Sequence, residues 1–464
     1  MLLDAIYDAF SSHEQEIHGG PITPDVHPEE IRSYLNARYD FGKKMPLDAV
    51  VADVEKMLKT WQVQVTHPRY FGLFNPSVTF ASVVADTLVA MYNPQLASWR
   101  TSPAANEIEK FTLGWLTNKF ALPQETLATF TTGGAEANHS AVIVALTRTF
   151  PEYGNQGLQC LGGAPVVYLS GEAHHSFTKI AHMTGLGRRA LRTIAADRNL
   201  RMDRADLERK VAEDRKNGFI PFMVVGTCGT TTAGAIDPLR EIGEFCRAQG
   251  LWFHVDAAWG GAAVLVPSLR HWLDGIEMAD SITCDAHKWF SVPMGCGMFF
   301  CRHPESVVQA FRADTGYMPA KASSAAFDPY TTSIQWSRRF IGLKLFVSLA
   351  AQGEPGQVEM IEHQLRMGRL LRELLTESGW RMVNDTPLPV VCFDRDGLNV
   401  AEYLTSLRER QIAWMSEAQI NGASVVRACV TSFKTTESDV RWVVKEMNRL
   451  ASEHLDLRLA PATS

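Results

Sequence analysis

Phe219-Ile220-Pro221-Phe222-Met223-Val224-Val225, then Gly226-Thr227-Cys228-Gly229-Thr230-Thr231-Thr232-Ala233-Gly234, then Asp237-Pro238-Leu239, is one period of a strand–loop–helix pattern. The first seven residues are a short apolar run of strand length. The Gly- and Thr-rich stretch is a loop. Asp237 and Pro238 suit the N-cap and first position of a helix that buries Leu239, Ile242, Phe245 and Cys246. Gly250 is expected as its left-handed stop, and Leu251 to Val255 as the next strand, ending at Asp256. The cycle recurs at Asp280 to Cys284, which leads into Asp285-Ala286-His287-Lys288, and again at Gly297 to Cys301. This alternation predicts the α/β class, with a mostly parallel sheet flanked by helices. In such sheets ligands bind beyond the carboxyl ends of the strands, where these polar groups fall.

The texture changes on both sides of this core. Residues 1–65 read as an N-terminal helical segment: Asp48, Val51, Val54, Met57 and Leu58 fall mostly at helical spacing. It has little core of its own and is expected to pack on a partner subunit. Residues 66–344 form the expected large ligand-binding domain. Residues 345–464 read as a small α+β domain, with a helix near 355–378, strands at 389–393 and 424–430, and a closing helix from Thr436. The stripe Val440, Val443, Val444, Met447 and Leu450 marks that last helix as packing, with no chemistry evident in the domain.

Composition narrows the class of function. Forty-five basic residues against 51 acidic ones leave a net charge of -6, which argues against a nucleic-acid partner. No apolar run reaches bilayer length, and Met1 to Gly20 lacks the layout of a secretory signal, so no membrane association is expected. Eight scattered cysteines without CxxC spacing suit reduced thiols, and the cytoplasm is the expected location.

Three constellations carry the chemistry. Thr131-Thr132-Gly133-Gly134-Ala135-Glu136-Ala137-Asn138 opens an apolar helix, and its free N–H groups favour an anion such as phosphate. It matches neither GxGxxG nor the P-loop, and alone is no more than a Gly-rich turn. Glu172-Ala173-His174-His175 follows a strand; adjacent histidines point apart and no third ligand stands at metal spacing, so no metal is expected. The third constellation is Asp256 with Lys288. A structural ion pair would explain both, yet a lysine between His287 and Trp289 at a buried strand end also suits a Schiff base with a carbonyl cofactor. Pyridoxal 5'-phosphate (PLP) needs a lysine for its aldehyde, a carboxylate for its ring nitrogen and an anion cradle. Lys288, Asp256 and Gly133-Gly134 would supply all three.

With Gly226-Thr227-Cys228-Gly229-Thr230-Thr231, His254-Val255-Asp256-Ala257-Ala258-Trp259-Gly260, Ala279-Asp280-Ser281 and Asp285-Ala286-His287-Lys288-Trp289, the chain resembles the group II PLP-dependent amino-acid decarboxylases. That family includes the aromatic amino acid, glutamate and cysteine sulfinate enzymes. The resemblance runs from about His67 to about Asp439. It implies the PLP-dependent transferase fold type I with a seven-stranded sheet, and a homodimer whose site is shared between subunits. By position it implies Lys288 as the Schiff-base lysine, Asp256 against the ring nitrogen, His174 stacked on the ring and Ala258 on its other face. Gly134, Ala135, Asp285 and His287 would hold the phosphate, with Thr230 near the ring. In Ala313 to Ile334, Tyr317 matches the tyrosine that reprotonates the α-carbon, where phenylalanine would suggest an aldehyde-forming oxidase. Arg338 matches an arginine near the substrate carboxylate or phosphate.

The resemblance also places Leu73, Phe74, Gln95, Ala97 and Trp99 at the substrate side chain. Leu73 and Ala97 stand where aromatic-specific enzymes tend to carry rings, and the Asn-Gln-Leu-Ser type of sequence seen in glutamate enzymes is missing. An apolar lining with Phe74, Leu96 and Trp99 leaves no evident cation for a side-chain carboxylate. The expected reaction is decarboxylation of an aromatic or bulky hydrophobic L-amino acid. An acidic substrate, or another PLP reaction such as transamination or oxidative deamination, is the alternative.

Overall fold

A strand buried on both faces needs a near-continuous apolar run, and the central strands of this chain have one. The computed structural model describes residues 2–459, apart from 75 and 314–325. The chain divides into two compact units. The larger comprises Val78–Leu365 and Asn384–Val390; the smaller comprises Met1–Ser77, Arg366–Val383 and Val391–Ser464.

The larger unit is built on seven strands: β1 (Leu127–Thr131), β2 (Pro165–Ser170), β3 (Leu191–Ile194), β4 (Ile220–Thr227), β5 (Trp252–Asp256), β6 (Ser281–Asp285) and β7 (Gly297–Cys301). Their order is β1-β7-β6-β5-β4-β2-β3. From β3 to β6 the pairing is parallel, while β7 runs antiparallel to both β1 and β6. The register decides where chemistry can sit. Gly297 pairs with Thr131 on one side and Asp285 on the other, and Asp256 pairs with Thr227 and Thr283. The last residues of β1, β4, β5 and β6 therefore share one rim with the first residue of β7.

The helix Gly134–Thr149 covers one face of this sheet. Ala137, Ala141 and Ala145 are fully buried in a cluster with Val167, Phe222, Val225 and Phe299, and their small side chains let the helix lie close. The helix Leu239–Gln249 ends at Gly250 in the left-handed region (φ 66, ψ 34), as its sequence indicated. Its start differs: the N-cap is Pro238, not Asp237. The Asp237 carboxylate instead accepts the amides of Met202 (2.7 Å) and Thr227 (2.8 Å), bracing the end of β4. Burial raises its pKa to about 6, against those hydrogen bonds.

The smaller unit holds β8 (Arg381–Met382), β9 (Val390–Asp394), β10 (Ser416–Ile420) and β11 (Ala423–Cys429), in the order β10-β11-β9-β8. Its core gathers Leu371, Phe393, Tyr403, Leu404, Val426, Val440, Val443, Met447 and Leu450. Both expected domain boundaries move. Residues 1–77 join the C-terminal residues in one unit, and the second boundary falls at 365/366 inside the helix Leu343–Glu377. Hydrogen bonds explain the first shift: Gln411 accepts the amides of Ile22 (2.8 Å) and Thr23 (3.1 Å) and donates to the Thr23 carbonyl (2.9 Å). The expected 355–378 helix follows a break at Gly353 (φ 67, ψ 172), just before Pro355, which separates it from a preceding helix that starts at Leu343.

Candidate active site

Beyond β6 the chain turns sharply through Asp285, Ala286, His287 and Lys288. The Cys296 carbonyl accepts the amides of Ala286 (2.8 Å) and His287 (3.2 Å), and the Lys288 amide donates back to the Asp285 carbonyl (3.2 Å). Trp289 anchors the turn in the core, fully buried and stacked on Trp259 with ring centroids 5.3 Å apart. Ser291 (φ 56) adopts the left-handed conformation as the chain reverses. Beyond it, buried Lys344 donates to the carbonyls of Pro293 (3.2 Å), Met294 (2.8 Å) and Gly295 (3.4 Å). Lys288 is thus a partly exposed side chain on a fixed backbone. Its Nζ lies 3.1 Å from Asp285 Oδ2, and its side chain keeps 21% exposure.

The N-terminus of the helix Gly134–Thr149 faces this turn. A Cβ on Gly134 would lie 2.9 Å from Asp285 Oδ2 and 3.1 Å from the Ala258 Cβ, and one on Gly297 would lie 2.6 Å from the Gly133 Cα. Glycine at 134 and 297 is what permits the close approach. Glu136 and Ala137 donate to the Gly133 carbonyl, whereas Gly134 and Ala135 occupy the first two helical positions, whose amides have no acceptor within a helix. Such amides attract an anion. His287 adds a directed donor. Its Nδ1 accepts the Cys296 amide (3.1 Å), which places the proton of the neutral ring on Nε2. Burial, reinforced by Lys288 and opposed by Asp285, lowers its pKa and favours that neutral ring. Asp285 Oδ1 is buried with no hydrogen-bond partner among the described residues.

Asp256, at the end of β5, is buried and held from two sides: Oδ1 accepts the Ala258 amide (3.1 Å) and Oδ2 accepts Asn138 Nδ2 (2.8 Å). His174 follows β2, and its Nδ1 accepts the Ser176 amide (3.2 Å). Desolvation lowers its pKa while Asp256 and Asp285 raise it and Lys288 lowers it, so its ring lies within the field of all three. Thr230 is buried in the loop after β4, where its hydroxyl accepts the Ala235 amide (3.0 Å). Burial pushes the Cys228 and Cys284 thiols well up, which leaves neither as a nucleophile at neutral pH.

One rim therefore carries an amine, a carboxylate, an imidazole and an anion cradle. The profile of the pyridoxal-dependent decarboxylase conserved domain matches residues 28–395. The chain belongs to this family of pyridoxal-dependent decarboxylases.

The decarboxylase is 29% identical over 456 residues to an aromatic-L-amino-acid decarboxylase of Manduca sexta, covering 94% of this chain and 88% of that one. It is 27% identical to a phenylacetaldehyde synthase of Arabidopsis thaliana, covering 96% of this chain and 94% of that one. Among solved structures, Oryza sativa TDC with PLP and tryptamine superposes with a TM-score of 0.91 at 23% identity, covering 98% and 97% of the two chains. Mouse CSAD does so with a TM-score of 0.88 at 24% identity, covering 97% and 98%. At these identities the structural likenesses establish fold type I. The decarboxylase uses PLP, and the donor set fits that cofactor: the glycine-lined cradle would fill if either Gly134 or Gly297 carried a Cβ.

The residues expected around the substrate belong to both units. Gln95, Ala97 and Trp99 belong to the larger unit, where Gln95 Nε2 donates to Ser337 Oγ (3.3 Å) and the Ala97 carbonyl accepts the Tyr330 amide (3.1 Å). The Trp99 amide donates to Asp328 Oδ1 (2.8 Å), and its indole to Glu107 (2.7 Å). Leu73 and Phe74 belong to the smaller unit, with Leu73 49% exposed and Phe74 buried. Arg338 is buried in the larger unit, where its guanidinium donates to Glu109 Oε2 (2.6 Å) and the Phe130 carbonyl (2.9 Å). Tyr317 lies outside the described residues.

Two residues escaped the sequence reading. Arg427, buried on β11, donates to the Gly72 carbonyl (2.8 Å) and sits 5.0 Å from the Phe74 ring centroid, so the Phe74 neighbourhood does hold a cation. Its signal was a lone charge in the run Ala423-Ser424-Val425-Val426-Arg427-Ala428-Cys429. Asn138 was quoted only as part of the glycine motif. Its signal was an amide one helical turn after Gly134, on a face otherwise lined by alanine.

Proposed function

We propose that this decarboxylase converts an aromatic L-amino acid to its amine and carbon dioxide, as a cytoplasmic homodimer. The observation that carries the site assignment is the meeting of Lys288 Nζ, the Asp256 carboxylate and the amide end of the helix Gly134–Thr149 on one rim of the sheet. When bound, PLP supplies an aldehyde for amine capture and a ring that accepts the electrons released as the carboxylate departs. Lys288 would hold the cofactor through its amine. Asp256, kept in place by Asn138 and the Ala258 amide, holds a proton at the ring nitrogen. Gly134, Ala135 and the Nε2–H of His287 would hold the phosphate, and His174 and Ala258 would pack against the ring. Thr230 keeps the loop beside Asp256 closed. Tyr317 is the proton donor to the α-carbon.

Support for the aromatic class comes from the names of relatives, which include a tryptophan decarboxylase 2 of Oryza sativa, 29% identical over 399 residues. The pocket assignments to Leu73, Phe74, Gln95, Ala97 and Trp99 rest on the same likeness. Support for the dimer comes from the helix Leu47–Trp61, whose Leu47, Val51, Val54 and Leu58 are all exposed in the single chain. No helix of the described residues is long and apolar enough to cross a membrane. The test is a panel of twenty amino acids assayed for carbon dioxide, amine and aldehyde. Amine and carbon dioxide in equal amounts from an aromatic substrate is the expected result. Aldehyde with ammonia would identify an oxidative reaction, and turnover confined to acidic substrates would reject the aromatic class.

A further inference from the structure

We infer that Asn138 is a positioning residue for the cofactor ring: with His254, Ser281 and Trp252 it forms a one-way run of hydrogen-bond donors that ends on Asp256. The inference rests on the assignment of Asp256 to the ring nitrogen made above.

The run is buried along its length. Asn138 (1% exposed), His254 (0%), Ser281 (1%) and Trp252 (5%) lie beneath the rim, where an unmatched donor or acceptor costs far more than at the surface. Trp252 Nε1 can only donate, and it donates to Ser281 Oγ (2.9 Å). Asp256 at the other end accepts Asn138 Nδ2 (2.8 Å). Everything between is then fixed by elimination. With Nδ2 turned to Asp256 and its second hydrogen on Ser176 Oγ (3.3 Å), Asn138 presents Oδ1 to His254 Nε2 (3.1 Å). His254 must place a proton on Nε2. Burial pushes the pKa of this imidazole down to about 4, so the ring is neutral and Nδ1 is an acceptor. The Ser281 hydroxyl, 2.8 Å away, donates to Nδ1. Each link thus points its hydrogen towards Asp256, and aligned links polarise one another.

Two consequences follow for the site. The run holds the Asp256 carboxylate in place, and a carboxylate facing a pyridine nitrogen raises that nitrogen's proton affinity. The hub also couples the two ends of the cofactor. Asn138 stands one turn, about 6 Å, along the helix whose first amides form the anion cradle. Through Ser176, whose amide donates to His174 Nδ1 (3.2 Å), the same amide side chain touches the segment carrying His174.

The experiment uses the full-length chain freed of PLP and loaded with pyridoxine 5'-phosphate, which lacks the aldehyde and cannot react with Lys288. Absorption of the bound ring against pH reports protonation of its nitrogen, and titration gives its affinity. Asn138→Ala is expected to lower the midpoint of ring protonation by about one unit or more and to weaken binding about tenfold. His254→Leu should follow the same direction. His254→Gln, whose amide N–H can replace Nε2–H, should restore most of the midpoint. An Asn138→Ala protein that is folded by circular dichroism yet keeps the parent midpoint overturns the proposal. So does nitrogen NMR of the unsubstituted chain if it shows His254 protonated at Nδ1, a measurement that needs no variant to fold. Asp256→Ala separates the two levels. If it moves the midpoint and Asn138→Ala does not, the relay fails alone; if neither moves it, the assignment of Asp256 fails too.

Discussion

The two units bury their polar groups in opposite ways. In the larger one, His254, Asp256, Thr283, Asp285 and Asn138 are nearly solvent-free and crowd one rim of the sheet. In the smaller one, the core around Phe393, Tyr403 and Val443 is apolar, and Arg427 is a buried cation on β11 beside Phe74. Buried polar groups lower stability unless their hydrogen bonds are complete, so a cluster of them at one rim marks where chemistry outweighs packing. The difference yields a rule for variants: at the rim a substitution should cost activity, and in the apolar core it should cost stability.

The strongest challenge to that rule is Lys288→Ala. Turnover should fall on the order of 10³-fold or more, with loss of the Schiff-base absorption band and little change in the urea midpoint. A variant that keeps the band would break the assignment. The opposite case is Phe393→Ala, fully buried in the smaller unit. It should lose about 3–5 kcal/mol in urea denaturation while the folded fraction keeps its turnover. Lost activity per folded molecule would show that the apolar core also positions chemistry.

Acid should sharpen the contrast. His254 has a folded pKa of about 4 against an ordinary value of 6.5. Between these values the unfolded chain binds the proton first, so stability is intact above about pH 6.5 and falls as the pH drops towards 4. The contribution is about 3 kcal/mol. Unfolding near pH 5 should take up close to one proton more in the parent than in His254→Gln, measured by potentiometry. Equal uptake would remove His254 as the sensor. The mildest effect should come from Gly134→Ala, whose Cβ would meet Asp285 Oδ2 at 2.9 Å. Cofactor affinity should fall by about 1–3 kcal/mol, read by PLP titration, with thermal stability nearly unchanged. An unchanged affinity would show that the helix end can shift without harm.

What was legible in the sequence follows the range of the interactions involved. Lys288 and Asp256 were visible because a polar residue closing a short apolar run is a local signal. Gly250 was visible for the same reason. Asp237 was misread because its partners include Met202, 35 positions away, and a cap was the nearest local explanation. The pairing of Arg338 with Glu109 was out of local view because the two stand 229 positions apart. Arg427 escaped because the carbonyl it holds, on Gly72, lies 355 positions away. The domain boundaries failed likewise: the chain from Asn384 to Val390 returns to the larger unit, through bonds such as Asn384 Nδ2 to the Ala233 carbonyl (2.8 Å).

The reversed direction of β7 has a mechanical consequence. Chain enters the sheet at Gly297 on the rim where the strands beside it leave, with Thr131 and Asp285 paired to it on either side. That one residue rivets the loop before the helix Gly134–Thr149 to the strand that leads to the lysine. Thermal motion then carries both as one plate, and the distance between the backbone that bears the lysine and the start of the helix Gly134–Thr149 is held by that pairing.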